Sequence, residues 1–182
     1  AVKIEVAYEL DERKYGPQVI KFYKLKNDAE HGLGENPLPE GVYRVLREDG
    51  EGGLAWVGTH TEKYIPIGEK LEMRLGSDGL IALEAKQMDL RRHDIERDSW
   101  GNVTGWIITE DWELEIRNSK PEAAPIKIVR YFGGEWEIEP KHDTKTMKFR
   151  KKDAQSVEYE TTLAPLSTTR IPYTISTRFG SR

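Results

Sequence analysis

The stretch LIALEAKQMDLRRHDIERDSWGNVTGWIITEDWELEIRN, residues 80–118, decides the fold class. From Trp112 to Arg117 apolar and charged residues alternate, which is the pattern of a strand with one buried and one solvated face. The sequence Asp98-Ser-Trp-Gly-Asn102 has the composition of a turn. We therefore expect Leu80–Arg97 and Val103–Asn118 to form a long antiparallel hairpin that projects beyond the core.

The first strand of this hairpin contains an irregularity. Its apolar alternation slips between Leu83 and Leu90. A strand accommodates one extra residue as a β-bulge, which restores the face of the residues that follow. We expect a bulge between these two leucines.

The same period of two extends over the rest of the chain, with turn residues between the alternating runs. Frequent short strands without a convincing helix predict an all-β fold, an antiparallel β-sandwich of the immunoglobulin-like type. We expect one domain over residues 1–182. The other predicted strands are Val2–Leu10, Val19–Leu25, Val42–Glu48, Leu54–His60, Leu71–Leu75, Ile126–Phe132, Glu135–Glu139, Thr144–Arg150, Gln155–Leu163 and Ile171–Phe179.

Both ends of the chain are predicted as edge or exchange strands, over residues 1–16 and 164–182. Pro172 lies inside a strand pattern, and proline cannot donate to a strand ladder, so it favours an edge. An unpaired terminal edge can pair with a neighbouring molecule. The segment Asn27–Pro39 is predicted as a long ordered loop.

Composition excludes several classes of function. The net charge of -4 and pI of about 5.7 provide no basic field for phosphates, so we expect no nucleic-acid partner. The chain has no cysteine, which excludes disulfides and thiolate chemistry. No apolar run approaches the roughly 18–20 residues of a membrane span. The first residues lack a signal-peptide pattern and an initiating Met, so we expect a processed protein or a segment of a longer one.

Three carboxylates, Asp111, Glu113 and Glu115, share one face of a predicted strand. Carboxylates in this arrangement can hold a calcium ion or provide an acid/base pair. The alternative is a solvated face whose carboxylates pair with Arg or Lys on neighbouring strands. Ordinary sheet patterning favours the alternative.

The histidines are scattered and none lies two to four residues from another, so a local metal site is not indicated. His93-Asp94 follows Arg91-Arg92, which is either an anion-binding or catalytic cluster or a polar stretch of the hairpin. No nucleophile elbow, phosphate-binding loop or dinucleotide fingerprint occurs in the chain. We expect no enzyme activity and no cofactor.

The chain has five tryptophans, and four of them, Trp56, Trp106, Trp112 and Trp136, lie in strand patterns and are predicted as core. Trp100 lies in the hairpin turn, where its own sheet cannot cover it. An exposed aromatic there predicts contact with a partner or a glycan. The candidate contact residues are Trp100, Asn102, Arg92 and His93, and Asn102-Val-Thr104 also matches a glycosylation sequon.

Several short motifs occur in a recognisable order: Pro37-Leu-Pro39 with Gly41, Arg44 and Val45, then Trp56-Val-Gly58, Gly68–Gly76, Trp112–Asn118, Ile126–Arg130 and Gly134–Ile138. This order resembles the conserved C-terminal domain of unknown function found in mucoidy-inhibitor-like proteins of bacteria and archaea. The resemblance covers roughly residues 17–178. It implies a β-rich fold, with no established catalytic residues and no assigned reaction. The chain departs from the family pattern at Ser77–Leu80 and Arg91–Asp94.

These observations predict a non-enzymatic structural or interaction module, self-assembling in an envelope-associated or extracellular structure. Its partner is expected to be a second copy or another protein. The alternative is a carbohydrate-binding module centred on Trp100. An enzyme that acts through Asp111, Glu113 and Glu115 is a third hypothesis.

Overall fold

The computed structural model describes residues 2–141 and 147–180. Its elements are almost all antiparallel strands, which confirms the predicted all-β class. The strands are β1 (Glu5–Asp11), β2 (Val19–Lys26), β3 (Gly41–Glu48), β4 (Leu54–Glu62), β5 (Lys70–Ser77), β6 (Ile81–Arg97), β7 (Val103–Asn118), β8 (Ala124–Tyr131), β9 (Glu135–Pro140), β10 (Lys148–Lys151), β11 (Ser156–Leu163) and β12 (Ser167–Gly180). One helical turn, α1 (Glu12–Tyr15), and a 3₁₀ turn, Ala29–His31, interrupt them.

The chain is divided into two compact units, Ala1–Gly79 and Leu80–Arg182. In the first unit β2 pairs with β1 on one side and with β5 on the other, all antiparallel. β3 and β4 form a separate two-stranded ribbon. Tyr43 and Val45 of the ribbon pack against a buried cluster of Ile65, Leu71 and Met73.

The segment Asn27–Pro39, predicted as an ordered loop, is organised around the buried amide of Asn27. Its Nδ2 atom donates to the carbonyl oxygens of Asn36, Ile65 and Pro66 at 3.2, 3.4 and 3.3 Å. Its Oδ1 atom accepts from the backbone N–H of Gly34 at 3.0 Å. One side chain therefore joins three parts of the loop region.

The second unit contains two antiparallel sheets. One has the strand order β6-β7-β12-β9, and the other contains β10, β11 and β8 in that order. Tyr173 of the first sheet and Tyr159 of the second are both fully buried, and their ring centroids are 6.2 Å apart. The two sheets pack in a sandwich-like arrangement, as predicted. The immunoglobulin-like strand connection stays a prediction.

The long hairpin is confirmed, with β6 and β7 paired antiparallel and residues 98–102 between them. The expected bulge is also present: Gln87 pairs with Trp112 and Asp89 with Asp111, so Met88 is the extra residue. β12 follows β7 as far as the pair Gly180 and Gly105. The hairpin projects past β12 only at its tip.

The prediction of an edge or exchange strand over residues 164–182 is wrong, as an edge, for residues 173–178 of β12. β7 pairs with β12 along one side over its whole length, and β9 pairs with the other side from Tyr173 to Arg178. Pro172 is tolerated because it lies just beyond the last β9 pair, where a missing N–H breaks no strand pairing. Exchange of residues 1–16 or 164–182 between molecules stays a prediction.

The other predicted strands agree with the structure to within a few residues. Part of one predicted strand, residues 144–146, lies outside the described residues, as do His142 and the chain ends at 1 and 181–182. Since one domain can contain two compact units, the prediction of a single domain stays a prediction.

Candidate functional site

The four-stranded sheet has two chemically different faces. Alternate residues of each strand point to opposite sides. Leu114 and Ile171 are directly paired and fully buried, so they define the core face. On each strand, the residues that alternate with the core face point to the outer face, such as Glu113 of β7 and Arg170 of β12. The candidate residues of the hairpin are assigned to these two faces or to the turn.

Trp100 lies in the turn at the hairpin tip and is 88% exposed, as its sequence position predicts. Asp98 organises this turn: its Oδ1 accepts from the backbone N–H groups of Trp100 and Asn102 at 2.9 and 2.8 Å. Gly101 has a φ of 85°, a left-handed conformation that glycine adopts without strain. The exposed indole of Trp100 therefore lies on a turn that hydrogen bonds to Asp98 keep ordered.

Asn102 stabilises the turn with its side chain as well. Its Nδ2 donates to Asp98 Oδ2 at 3.0 Å. This side-chain hydrogen bond, followed by the one from the Asn102 backbone, lowers the pKa of the Asp98 carboxyl below its ordinary value. The amide of Asn102 is therefore used within the turn.

Arg92 lies on the core face, beside Trp106. The Arg92 guanidinium carbon is 4.2 Å from the Trp106 ring centroid, a cation–π contact. Phe179, on the other neighbouring strand, stacks on Trp106 with centroids 5.7 Å apart and 13° between the ring planes. Trp106 is thus flanked by a cation from β6 and an aromatic ring from β12.

The distal apolar face, which we define as Leu90, Trp106 and Phe179, continues the core face toward the hairpin tip. Leu90 pairs with Glu110 and Phe179 with Trp106, so all three side chains point to the same side. Trp106 is half-buried, whereas Leu90 and Phe179 are exposed, Leu90 at 54%. Exposed apolar side chains on one side of a sheet are a common feature of surfaces that contact other molecules.

His93 points to the outer face, opposite to Arg92, because the two are adjacent in a strand. Its Nε2 is 2.8 Å from Thr109 Oγ1, and its Nδ1 is 2.9 Å from Asp94 Oδ2. Thr109 Oγ1 is in turn 2.9 Å from Ser176 Oγ. The structure places the four predicted contact residues on two opposite faces and a turn, and their role in binding stays a prediction.

Asp111 is paired across the outer face on both sides. Arg91 Nη2 from β6 donates to Asp111 Oδ2 at 2.7 Å, and Thr174 Oγ1 from β12 donates to Asp111 Oδ1 at 2.5 Å. These bonds occupy both carboxylate oxygens. The carboxylate therefore has cross-strand partners of the kind predicted for a solvated face.

Glu113 and Glu115 share one cation. Arg170 Nε is 3.6 Å from Glu113 Oε1 and 3.2 Å from Glu115 Oε2, and Lys86 Nζ lies 3.3 Å from the same Glu115 oxygen. The hydrogen bond from Arg170, followed by that from Lys86, lowers the pKa of the Glu115 carboxyl. The prediction of carboxylates paired with cross-strand Arg and Lys is confirmed. Within residues 2–141 and 147–180, no three His, Asp or Glu side chains are arranged to hold a metal ion.

The tryptophans divide differently from the prediction. Trp136 is core, at 5% exposure, and Trp106 and Trp112 are half-buried. The prediction of Trp56 as core is wrong, because it is 68% exposed on the β3–β4 ribbon. The sequence did not predict the packing of Phe179 on Trp106. This contact depends on the pairing register of β7 and β12, and the two residues are 73 positions apart in the chain.

No protein-family model, curated protein or solved structure matches this chain. The resemblance to the C-terminal domain of mucoidy-inhibitor-like proteins therefore stays a prediction. Over the described part of the chain, no helix has the length and apolar character that crossing a membrane requires.

Proposed function

We propose that this chain is a non-enzymatic structural or interaction module that associates with further copies of itself. The observation that carries the proposal is the distal apolar face, where the exposed Phe179 stacks on the half-buried Trp106 and Leu90 is exposed farther along the same side of the sheet. Burial of such surface stabilises an interface by about 25 cal/mol per Å² before the costs of association. Arg92 adds a residue type that is enriched in interfaces.

The outer face supports an assignment to assembly and not to catalysis. Its carboxylates are occupied by Arg91, Arg170 and Lys86, which is the arrangement of a stable charged surface. The proposed relationship to the C-terminal domain of mucoidy-inhibitor-like proteins adds no catalytic residue. We propose an envelope-associated or extracellular setting, with an immunoglobulin-like sandwich as the building unit.

The test is the molar mass of the full chain by light scattering over a wide concentration range, for the parent and for Leu90→Asp. We expect the parent mass to rise with concentration and Leu90→Asp to weaken the association at least tenfold. Ile67→Asp is the matched control, because Ile67 is 52% exposed and lies in the other unit. A parent that remains at 21.0 kDa throughout would contradict the proposal.

A second candidate function, carbohydrate binding, is favoured by one observation. Trp100 presents its indole almost completely to solvent from a turn held by Asp98. An indole face stacks on sugar rings without large loss of side-chain freedom, particularly when its backbone is already ordered.

The test for this candidate is retention on a panel of immobilised glycans. Trp100→Ala should abolish retention without lowering the melting temperature, because the side chain contributes little buried area. Trp56→Ala, which removes another exposed indole, is the control and should retain binding. Equal retention by parent and Trp100→Ala would rule out this turn as the site.

A further inference from the structure

The β3–β4 ribbon has one covered face and one exposed face. Tyr43 and Val45 point toward the buried cluster of the first unit. The alternate residues of β3 therefore point the other way. We call this other side the ribbon face; it consists of Val42, Arg44, Leu46 and Glu48 from β3, with Leu54 and Trp56 from β4.

The register places both β4 members of the ribbon face opposite β3 members. Leu46 is paired with Trp56 and Glu48 with Leu54, and directly opposite residues of antiparallel strands point to the same side. Trp56 Nε1 donates to Thr59 Oγ1 at 3.3 Å, which holds the indole along the ribbon. A register shift between Val45 and Leu46 brings Trp56 to this side.

All the apolar members of the ribbon face are exposed. Val42, Leu46, Leu54 and Trp56 each have half or more of their surface accessible. Leu46, Trp56 and Leu54 are neighbours, since Leu46 and Trp56 are directly paired and Leu54 is the next residue of β4 on this side. Val42 lies farther along β3, beyond Arg44. An uncovered apolar sheet face of this kind is a surface for a partner.

Two unpaired charges bracket the apolar centre. Arg44 and Glu48 are exposed, lie two residues on either side of Leu46, and take part in no ion pair with any other residue that the structure describes. Their opposite signs and equal distances from Leu46 give the face a self-complementary pattern. A symmetric dimer requires such a pattern, because each patch must match itself after a rotation.

We propose that the ribbon face binds the ribbon face of a second copy of this chain, about a two-fold axis that runs across the strands at the level of Leu46. In this arrangement the β3 strands of the two copies lie over each other in opposite directions. Leu46 then meets Leu46, and Trp56 meets Trp56. Arg44 of each copy faces Glu48 of the other, so both charges gain a partner.

The charges select this axis over the other symmetric choice. An axis parallel to the strands would place Glu48 against Leu54 and Arg44 against Thr59 of the second copy, which leaves both charges unpaired. Buried unpaired charge opposes association strongly. Facing sheets are about 10 Å apart, a gap that Arg and Glu side chains span together.

The size of the ribbon predicts a weak contact. Eight residues of β3 extend about 27 Å, and two strands are about 10 Å wide. This footprint is well below the roughly 800 Å² per partner of a standard stable interface. We therefore expect the ribbon contact to strengthen an assembly that other surfaces also hold together. In this respect the inference rests on the proposed function.

The ribbon pairing is tested by reversing the charge at Arg44 or at Glu48. Self-association of the full chain is measured by sedimentation velocity over a wide concentration range. Arg44→Glu and Glu48→Arg should each weaken association at least tenfold, because each creates two like-charge contacts in the dimer. An equimolar mixture of the two variants should restore association, because both contacts are again between opposite charges. Arg47→Glu is the control: it changes net charge equally on the same strand but lies on the opposite side from Arg44 and Glu48.

Loss in both single variants, recovery in the mixture and an unaffected control would support the inference. If the mixture fails to recover, or if both variants associate like the parent, the ribbon pairing is wrong. If both charge variants associate like the parent but Leu90→Asp loses association, the ribbon pairing is wrong and the proposed function still holds. A parent that is monomeric at every concentration would overturn both. Circular dichroism of each variant checks that it is folded.

Discussion

Asn27 illustrates how one buried polar side chain orders a segment without regular structure. Its amide contacts the carbonyl oxygens of Asn36, Ile65 and Pro66, and its own backbone N–H donates to Glu69 at 2.9 Å. The sequence predicts an ordered loop here but not this centre, because asparagine is usually a surface turn residue. Burial distinguishes Asn27 and Asn118 from the exposed Asn36 and Asn102, and it cannot be read from the sequence.

Replacing Asn27 by Ala should lower the free energy of unfolding by about 2 to 4 kcal/mol, because the buried carbonyl oxygen of Ile65 loses its donor and the other hydrogen bonds of the amide are lost as well. Chemical denaturation followed by circular dichroism measures this loss. Asn36→Ala is the matched control, since Asn36 is exposed and contributes only its backbone oxygen. Similar stability for the two variants would show that the amide contacts are energetically unimportant.

The hairpin turn has a pH dependence with a definite sign. The Asp98 pKa is lowered by the side-chain hydrogen bond from Asn102, so ionised Asp98 stabilises the folded turn. This contribution is complete above the ordinary pKa of an aspartate, 3.8, and is lost as the pH falls through the lower folded value. Asn102→Ala should raise the pKa of Asp98, as followed by NMR titration of its carboxyl carbon. Thr104→Val should leave it unchanged, and an unchanged pKa in Asn102→Ala would contradict the assignment.

At the scale of elements, apolar alternation located the strands and the long hairpin because side-chain direction in a strand depends only on local period. It did not determine which strands lie inside a sheet. Pro172 favoured an edge, and it lies in the part of β12 that pairs with β7 but has no pair with β9. Residues 173–178 of the same strand lie between β7 and β9. Neighbouring strands are chosen by long-range pairing, which a local pattern does not contain.

The bulge at Met88 keeps the two halves of β6 in phase with β7. Deleting Met88 should leave the pairs on either side intact, because the bulge supplies the extra residue. Deleting Glu84 should be much more harmful, since Leu83 and Ala85 become adjacent and one of them must leave the core face. Thermal unfolding compares the two: we expect a melting temperature near the parent for the first deletion and a clear decrease for the second. The reverse order would contradict the register.

At the scale of the whole molecule, the prediction of one domain has a direct test. Asn27 belongs to the first compact unit and the buried Asn118, which donates to the carbonyl oxygens of Glu122 and Ala164 at 3.0 and 2.9 Å, to the second. If the chain is one domain, Asn27→Ala and Asn118→Ala should each reduce hydrogen-exchange protection in both units, because one cooperative transition unfolds everything. Protection lost only in the mutated unit would establish two domains.

The amino-acid sequence was sufficient for the all-β class, the hairpin, its bulge and the exposure of Trp100, because alternation and turn composition act over neighbouring residues. Only the tertiary structure placed Phe179 and Arg92 on Trp106 and left Trp56 exposed beside Leu46. Each of these depends on the register between strands and on which sheet face another layer covers. Such pairings join residues distant in the chain, and their selection rests on the packing of the whole fold.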